Sequence, residues 1–333
     1  MAEKFLQLIG IVGAGAWGTA LASIACRAGR DVVIQAHEPE VAEDINRDHI
    51  NPLYLPGVVL DPKIRATADP TEAAKADAVL LATPAQALRR LARRLAPAWR
   101  DGTSALICAK GIEQESGALM SEVLAAEIPG AAVAVLSGPT FASEVARDLP
   151  TAVTLASENP ALAAALSQAL GTSRFRIYTS GDVVGVEIGG AVKNVIAIAC
   201  GIVEGRRLGD NARAALITRG LAEMTRLALA KGGEARTLMG LSGLGDLTLT
   251  CNAVQSRNFS LGVALGRDRP LAAILAERTT VAEGVFSASS VVALAGRLGI
   301  EMPICAAVDA VLNRGADLDS AIAGLLARPV GIE

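Results

Sequence analysis

Three glycines in the run Gly13-Ala14-Gly15-Ala16-Trp17-Gly18 stand where a phosphate could rest against backbone. The run follows the apolar stretch Leu8–Val12 and opens a segment of helical composition. In that setting the first glycine permits a tight turn, and the second lets a pyrophosphate approach the main chain. The third lets helix and strand pack closely, with the first helical N–H groups aimed at the anion. Strand, loop, helix and second strand fall in register, so the run reads as a dinucleotide site. The second strand leads into Gln35-Ala36-His37-Glu38. An acid at that tip holds the ribose hydroxyls of NAD, whereas a basic residue favours the 2′-phosphate of NADP. Both stand here, and NAD against NADP stays open.

A nicotinamide enzyme acting on an alcohol also needs a group to take the hydroxyl proton. No histidine follows His49, and no Cys/His cluster has the spacing of a zinc site, so no metal is expected. A Tyr-x-x-x-Lys pair is missing, because Tyr54 and Tyr178 are followed four residues on by Val58 and Asp182. Lysine remains. The chain holds six lysines, and two lie in apolar settings: Lys110, after Ala105–Cys108, and Lys193, within Gly189-Gly190-Ala191-Val192-Lys193-Asn194-Val195-Ile196. Arginine keeps its proton inside a protein, while a desolvated lysine can release it. Gly189 and Gly190 either leave space for a ligand one turn before Lys193 or let another helix pack close.

These groups need a scaffold, and the pattern of the first half supplies one. Apolar β-type runs at Leu6–Val12, Asp31–Gln35, Ala78–Ala82, Ala105–Cys108, Val133–Leu136, Ala152–Ala156 and Phe175–Tyr178 alternate with helical stretches at Thr19–Ala28, Gln86–Leu95, Ala118–Glu127 and Ala161–Leu170. Such alternation predicts βαβ units and a mostly parallel sheet. From about Gly181 the β signal stops, and long Ala/Leu/Val/Ile stretches at helical spacing follow, broken by glycine-rich loops. The expected architecture is α/β: a Rossmann-like N-terminal domain over 1–183, then an all-α C-terminal domain over 184–333.

At 333 residues, 51% of them apolar, the chain can bury an ample core without staples. Aromatics at 3% and a net charge of −3 disfavour a nucleic-acid partner. The five cysteines, Cys26, Cys108, Cys200, Cys251 and Cys305, are scattered and odd in number, which disfavours a disulfide framework and points to a reducing, cytoplasmic setting. Unbroken apolar runs such as Val195–Val203 are short, so no membrane span is expected. The Lys4-Phe5-Leu6 start dissolves into glycines and is not read as a signal peptide.

Further stretches complete a pattern: Tyr54-Leu55-Pro56-Gly57, Lys110-Gly111-Ile112-Glu113, Leu136-Ser137-Gly138-Pro139-Thr140-Phe141-Ala142, Gly189–Asn194, Gly209-Asp210-Asn211, Gly240–Asp246, Ser256-Arg257-Asn258 and Val281-Ala282-Glu283-Gly284. With Gly13–Gly18, in order and over nearly the whole chain, they resemble the bacterial NAD(P)-dependent glycerol-3-phosphate dehydrogenase family. The resemblance implies reversible hydride transfer between NAD(P)H and dihydroxyacetone phosphate, giving sn-glycerol 3-phosphate for phospholipid synthesis. It also implies a homodimer. Lys193 would be the general acid/base at the C2 oxygen. Lys110, Gly138, Thr140, Asp246, Ser256, Arg257 and Asn258 would surround the substrate with it. Gly13, Gly15, Trp17, Gly18, His37, Lys110, Ala142, Arg257, Val281 and Glu283 would contact the cofactor.

Two departures bear on this. Ala16 replaces a common serine, removing a side-chain bond to the cofactor, and His37 replaces a common arginine, which weakens any transfer of NADP preference. The residues themselves agree with the implied roles. Arg257 can grip a phosphate with its planar fork of donors, and Ser256 suits the N-cap of a helix over Asn258–Leu265. Asp246 paired with Lys193 would orient the ammonium and raise its pKa, while burial and Lys110 would lower it. The alternative is a β-hydroxy acid or ketopantoate-type dehydrogenase of the same plan, which leaves Ser256-Arg257-Asn258 unexplained.

Overall fold

Near-continuous apolar strands, buried on both faces, are what a parallel sheet covered by helices requires. The computed structural model, which describes residues 6–277 and 282–329, has eight of them in one sheet. They are β1 (Leu8–Val12), β2 (Asp31–Gln35), β3 (Ile64–Thr67), β4 (Ala78–Leu81), β5 (Ser104–Ile107), β6 (Ala132–Ser137), β7 (Thr151–Ala156) and β8 (Phe175–Ser180). Their order is β3-β2-β1-β4-β5-β6-β7-β8, and every pairing is parallel except β6 with β7. Chain order reverses at β1, whose neighbours are β2 and β4. In such sheets ligands bind beyond the carboxyl ends of the strands at this switch point.

The sheet is accompanied by α1 (Ala16–Arg27), α2 (Pro39–Asp48), α3 (Pro70–Ala73), α4 (Leu88–Leu95), α5 (Met120–Glu127), α6 (Ala142–Ala146) and α7 (Pro160–Leu170). The helical part contains α8 (Val183–Gly205), α9 (Asp210–Ala230), α10 (Ala235–Leu238), α11 (Asp246–Asn252), α12 (Arg257–Gly266), α13 (Leu271–Ala276), α14 (Glu283–Arg297), α15 (Pro303–Asn313) and α16 (Leu318–Leu326). The chain forms two compact units. One runs to Lys110 and resumes over Leu119–Glu187; the other takes Gly111–Ala118 and everything from Ile188 onward. The return of 111–118 to the helical unit has no marker in composition.

In the first unit the core is built from Ile9, Ile11, Leu21, Ile34, Ile45, Leu80 and Leu106, all essentially inaccessible. In the second, α8 is the central helix. Its apolar window is long enough to cross a membrane, which the short unbroken runs had not suggested, yet all of that window is buried in the protein. Polar interruptions such as Lys193 and Asn194 hide this length from a search for unbroken runs. Gly201 and Gly205 of α8 meet Gly262 and Gly266 of α12, and a Cβ on Gly201 would lie 2.1 Å from the Phe259 carbonyl oxygen. That absence of side chains sets α12 directly along α8. Glu223 of α9 accepts from the N–H groups of Ile304 and Cys305 at 2.7 and 3.1 Å, capping the start of α15.

The first turns of α8 are anchored by a buried acid. Glu187 accepts from the Ser121 N–H at 2.9 Å and from its hydroxyl at 2.5 Å. Burial pushes its carboxyl up to about 7 from 4.5, against the pull of the Ser121 bonds. A raised carboxyl holds a proton in the native state that the unfolded chain has already lost. Its contribution to stability is therefore full below about pH 4.5 and disappears as pH rises through about 7. Glu187→Gln is expected to remove this dependence. Relative to wild type it should gain up to about 3 kcal/mol between pH 5 and 8, at about 1.4 kcal/mol for each pKa unit. Urea unfolding of both proteins at the two pH values checks it; parallel stability curves would refute the proton's role.

Candidate functional site

Within the first unit, the loops after β1, β2, β4, β5 and β6 all leave the carboxyl ends of parallel strands, so they share one edge of the sheet. The β1 loop has the geometry its glycines predict. Gly13 has φ +106°, a conformation that favours glycine, and a Cβ on Gly18 would lie 1.9 Å from the Gly13 carbonyl oxygen. Beside Gly15, in contrast, a Cβ would meet nothing within 4 Å, which is the open approach a pyrophosphate needs. Helix α1 begins at once, with no side-chain cap and no acid in its first turn. Its N-terminal N–H groups are thus not competed for by a neighbouring carboxylate.

The loop is braced from outside. Asn51, fully buried, donates from Nδ2 to the Ala14 carbonyl and to Thr19 Oγ1, both at 2.8 Å. Four more buried polar atoms of this unit, Trp17 Nε1, Thr83 Oγ1, Trp99 Nε1 and Ser137 Oγ, have no hydrogen-bond partner among the described residues. Trp17 is the second residue of α1, Thr83 follows β4 and Ser137 ends β6. Unsatisfied buried donors and acceptors are costly and uncommon, and three of these four lie where the fold binds ligands, Trp99 preceding β5 instead. Together with the open Gly15, those three fit a dinucleotide.

Further along the same edge, Lys110 Nζ donates to the Gly138 carbonyl oxygen at 3.1 Å, and Thr140 Oγ1 donates to the same oxygen at 3.2 Å. Three residues predicted to surround substrate therefore meet at one carbonyl. Ala142 is the first residue of α6, just beyond. His37 is exposed at the β2 tip, and Glu38 beside it accepts from the Tyr54 hydroxyl at 2.9 Å.

In the second unit Lys193 sits on α8, 6% exposed. Its Nζ donates to Asp246 Oδ1 at 2.5 Å and to Thr250 Oγ1 at 3.0 Å, and Thr250 passes its own hydrogen to the Asp246 carbonyl oxygen at 2.6 Å. Asp246 is completely buried. Its position follows from backbone. A single π-helical turn, Leu241–Gly245, leads straight into α11, whose first residue is Asp246. A Cβ on Gly189 would lie 2.4 Å from the Ser242 carbonyl oxygen, so that glycine admits the turn against α8. Of the two sequence readings for Gly189, close packing is the one realised.

Ser256 caps α12, accepting from the Phe259 N–H at 3.2 Å, and Arg257 follows, exposed, at the first helical position. The helix is thus Arg257–Gly266, one residue longer at each end than expected. Asn258 is buried and engaged within its own unit: Nδ2 donates to Asn194 Oδ1 at 2.9 Å, and Oδ1 accepts from the Gly284 N–H at 3.0 Å. It ties the start of α12 to α8 and to the start of α14, where Glu283 is the first residue. Val281 lies outside the described residues.

Two residues of this arrangement, Thr250 and Asn51, escape a motif reading, and a third, Asn194, stands within the Gly189–Asn194 stretch without a role read for it. Thr250 stands four residues after Asp246, the helical spacing that puts both on one face, and that was the available signal. Asn194 follows Lys193 in an apolar run. For Asn51 no local signal marks its grip on the glycine loop, because the partners of its Nδ2 lie 32 and 37 residues away. The five cysteines are free, and burial holds the thiols of Cys108 and Cys305 well above their ordinary range, so neither offers a nucleophile. Among the described residues no group of His, Cys, Asp and Glu could hold a metal ion.

Comparison with known proteins covers both parts of the chain. Residues 8–163 match the family described as NAD-dependent glycerol-3-phosphate dehydrogenase N-terminus, and 182–323 match its C-terminus. A glycerol-3-phosphate dehydrogenase (NAD(P)+) of Rhodospirillum rubrum is 62% identical over 332 residues, covering 99% of this chain and 95% of the relative. One from Parvibaculum lavamentivorans is 57% identical over 321 residues, covering 96% of each. The crystal structure of glycerol-3-phosphate dehydrogenase from Coxiella burnetii superposes with a TM-score of 0.93 at 40% identity, over 97% of this chain and 100% of that one.

Proposed function

Because the chain belongs to the NAD-dependent glycerol-3-phosphate dehydrogenase family, we propose that Lys193 is its general acid/base. The activity is that of an NAD(P)-dependent oxidoreductase on the CH–OH group of glycerol 3-phosphate, interconverting it with dihydroxyacetone phosphate. The ketopantoate-type alternative is not favoured by relatives at this identity. The observation that carries the assignment of Lys193 is the buried Lys193–Asp246–Thr250 cluster.

The bound dinucleotide supplies or accepts the hydride. Gly13, Gly15 and Gly18 would hold its pyrophosphate, with Trp17, His37, Ala142 and Glu283 along its length. Lys110 and Arg257 would serve cofactor and substrate together, and the proposal extends to Val281. As the C2 carbonyl of dihydroxyacetone phosphate is reduced, the Lys193 ammonium gives a proton to its oxygen. In the reverse direction the neutral amine takes the hydroxyl proton. Asp246 holds Nζ in place and offsets the cost of a buried positive charge. Thr250 fixes the pair by accepting from the lysine and donating to backbone. Lys110, Gly138, Thr140, Ser256, Arg257 and Asn258 make up the rest of the substrate's surroundings, with Arg257 and the capped start of α12 facing the phosphate.

The same proposal assigns the dinucleotide to residues 1–183 and proton transfer to 184–333. It includes a homodimer in the cytoplasm. The dimer is supported by α9, a 21-residue helix with only Gly220, Glu223, Met224, Leu227 and Ala228 buried, which leaves most of its length for a partner.

The role of Asp246 as a positioning residue is tested by Asp246→Asn, which keeps shape but loses the charge that fixes Nζ. A fall in kcat of about a hundredfold is expected, the scale that a misplacement near 1 Å produces, with cofactor Kd unchanged. Turnover within twofold of wild type in a folded variant would refute it.

A further inference from the structure

Glu38 stands at the strand tip where, beside a dinucleotide loop, an acid discriminates between a ribose hydroxyl and a 2′-phosphate. Its carboxylate already has a partner, since Oε1 accepts from the Tyr54 hydroxyl at 2.9 Å. Tyr54 is itself held: its N–H donates to Asn51 Oδ1 at 3.1 Å, and the Leu55 N–H donates to the Asn51 carbonyl at 2.9 Å. The Asn51 amide that completes this turn is the one that grips Ala14 and Thr19. One buried side chain thus joins the floor of the glycine loop to the residue that holds the acid. Tyr54 is half-buried against the core of its unit, so its ring has a fixed seat. Burial and the Glu38 carboxylate push its phenol up from its ordinary value, keeping the hydroxyl a donor at neutral pH.

A hydrogen bond to one carboxylate oxygen fixes the plane of the group and draws charge from it. We infer that Tyr54 is a cofactor-specificity residue: by holding Glu38, it withholds the carboxylate from the adenosine ribose of NAD and moderates its repulsion of the 2′-phosphate of NADP. Use of both cofactors then follows from a restrained acid beside His37, with neither an unrestrained acid nor an arginine at the tip. The inference rests on the Gly13–Gly18 loop being the dinucleotide site.

The test is steady-state kcat/KM with NADPH and with NADH, at saturating dihydroxyacetone phosphate, for wild type, Tyr54→Phe, Glu38→Gln and the double variant. Tyr54→Phe should lower the NADPH:NADH ratio about tenfold, the scale of one hydrogen bond to a charged group. Glu38→Gln should raise the ratio, and in that background Tyr54→Phe should no longer change it. An unchanged ratio, a ratio that moves towards NADPH, or an equal loss with both cofactors overturns the inference; equal loss would make Tyr54 only a prop for the loop. Gly15→Val, titrated with NADH and NADPH by fluorescence, separates the two levels. Retained affinity for both would remove the loop from dinucleotide binding. Lost affinity with an unmoved Tyr54→Phe ratio would remove the specificity role alone.

Discussion

Lys193→Ala is expected to lower kcat by about a thousandfold in both directions, within the range that loss of a general acid/base produces. Cofactor Kd should stay at its wild-type value, because the glycine loop belongs to the other compact unit of the chain. The substitution has a second consequence. It leaves the Asp246 carboxylate, wholly buried, without its ammonium, and a broken buried pair typically costs about 3–5 kcal/mol. A loss of activity through unfolding must therefore be told apart from a loss of chemistry. Lys193→Met combined with Asp246→Leu removes both charges, and apolar replacement of a buried pair is often neutral in stability. That double variant should melt near wild type and still fail to turn over. Near-normal turnover in either protein would take Lys193 out of the mechanism.

Arg257→Ala should act on binding, with little effect on folding. Arg257 is exposed at the first position of α12, where the Ser256 cap and the Asn258 bonds remain in place without it. Stability should change by no more than about 0.5 kcal/mol, as for most surface substitutions. The KM for dihydroxyacetone phosphate should rise about a hundredfold, the equivalent of losing one charge-assisted, two-pronged contact to phosphate. Arg257→Lys should recover only part of this, because an ammonium restores the charge without the planar fork. An unaltered KM together with unaltered cofactor affinity would remove Arg257 from the phosphate site.

The strands of the sheet were legible where apolar runs were unbroken: β2 begins and ends where its sequence pattern does, and β1, β4 and β5 differ by one or two residues. β3 was not legible. Ile64-Arg65-Ala66-Thr67 is short, carries a charge, and pairs only with β2 at the sheet edge, so no apolar run marks it. Nor does any local pattern announce that β6 and β7 run antiparallel, since direction depends on which strand a segment finds as neighbour. In the helical unit, Lys193 stood out because a lysine in an apolar helix is rare. Of its two partners, Asp246 lay within the quoted Gly240–Asp246 stretch, whereas Thr250 looks like an ordinary helix residue until the helices pack.

Taken alone, the chain of letters determined what acts through neighbours in sequence: the glycine turn, the Ser256 cap and the alternation that builds the sheet. Those features depend on backbone geometry and residue chemistry within a few positions. Tertiary structure alone decided what depends on close approach between distant segments. Lys193 and Asp246 are 53 residues apart and meet because Gly189 lets a π-helical turn settle on α8. Asn51 reaches Ala14 across α1, β2 and α2, and Tyr54 reaches Glu38 across α2. Such contacts are fixed by packing of whole elements, in which every side-chain volume takes part, and no local rule contains that sum.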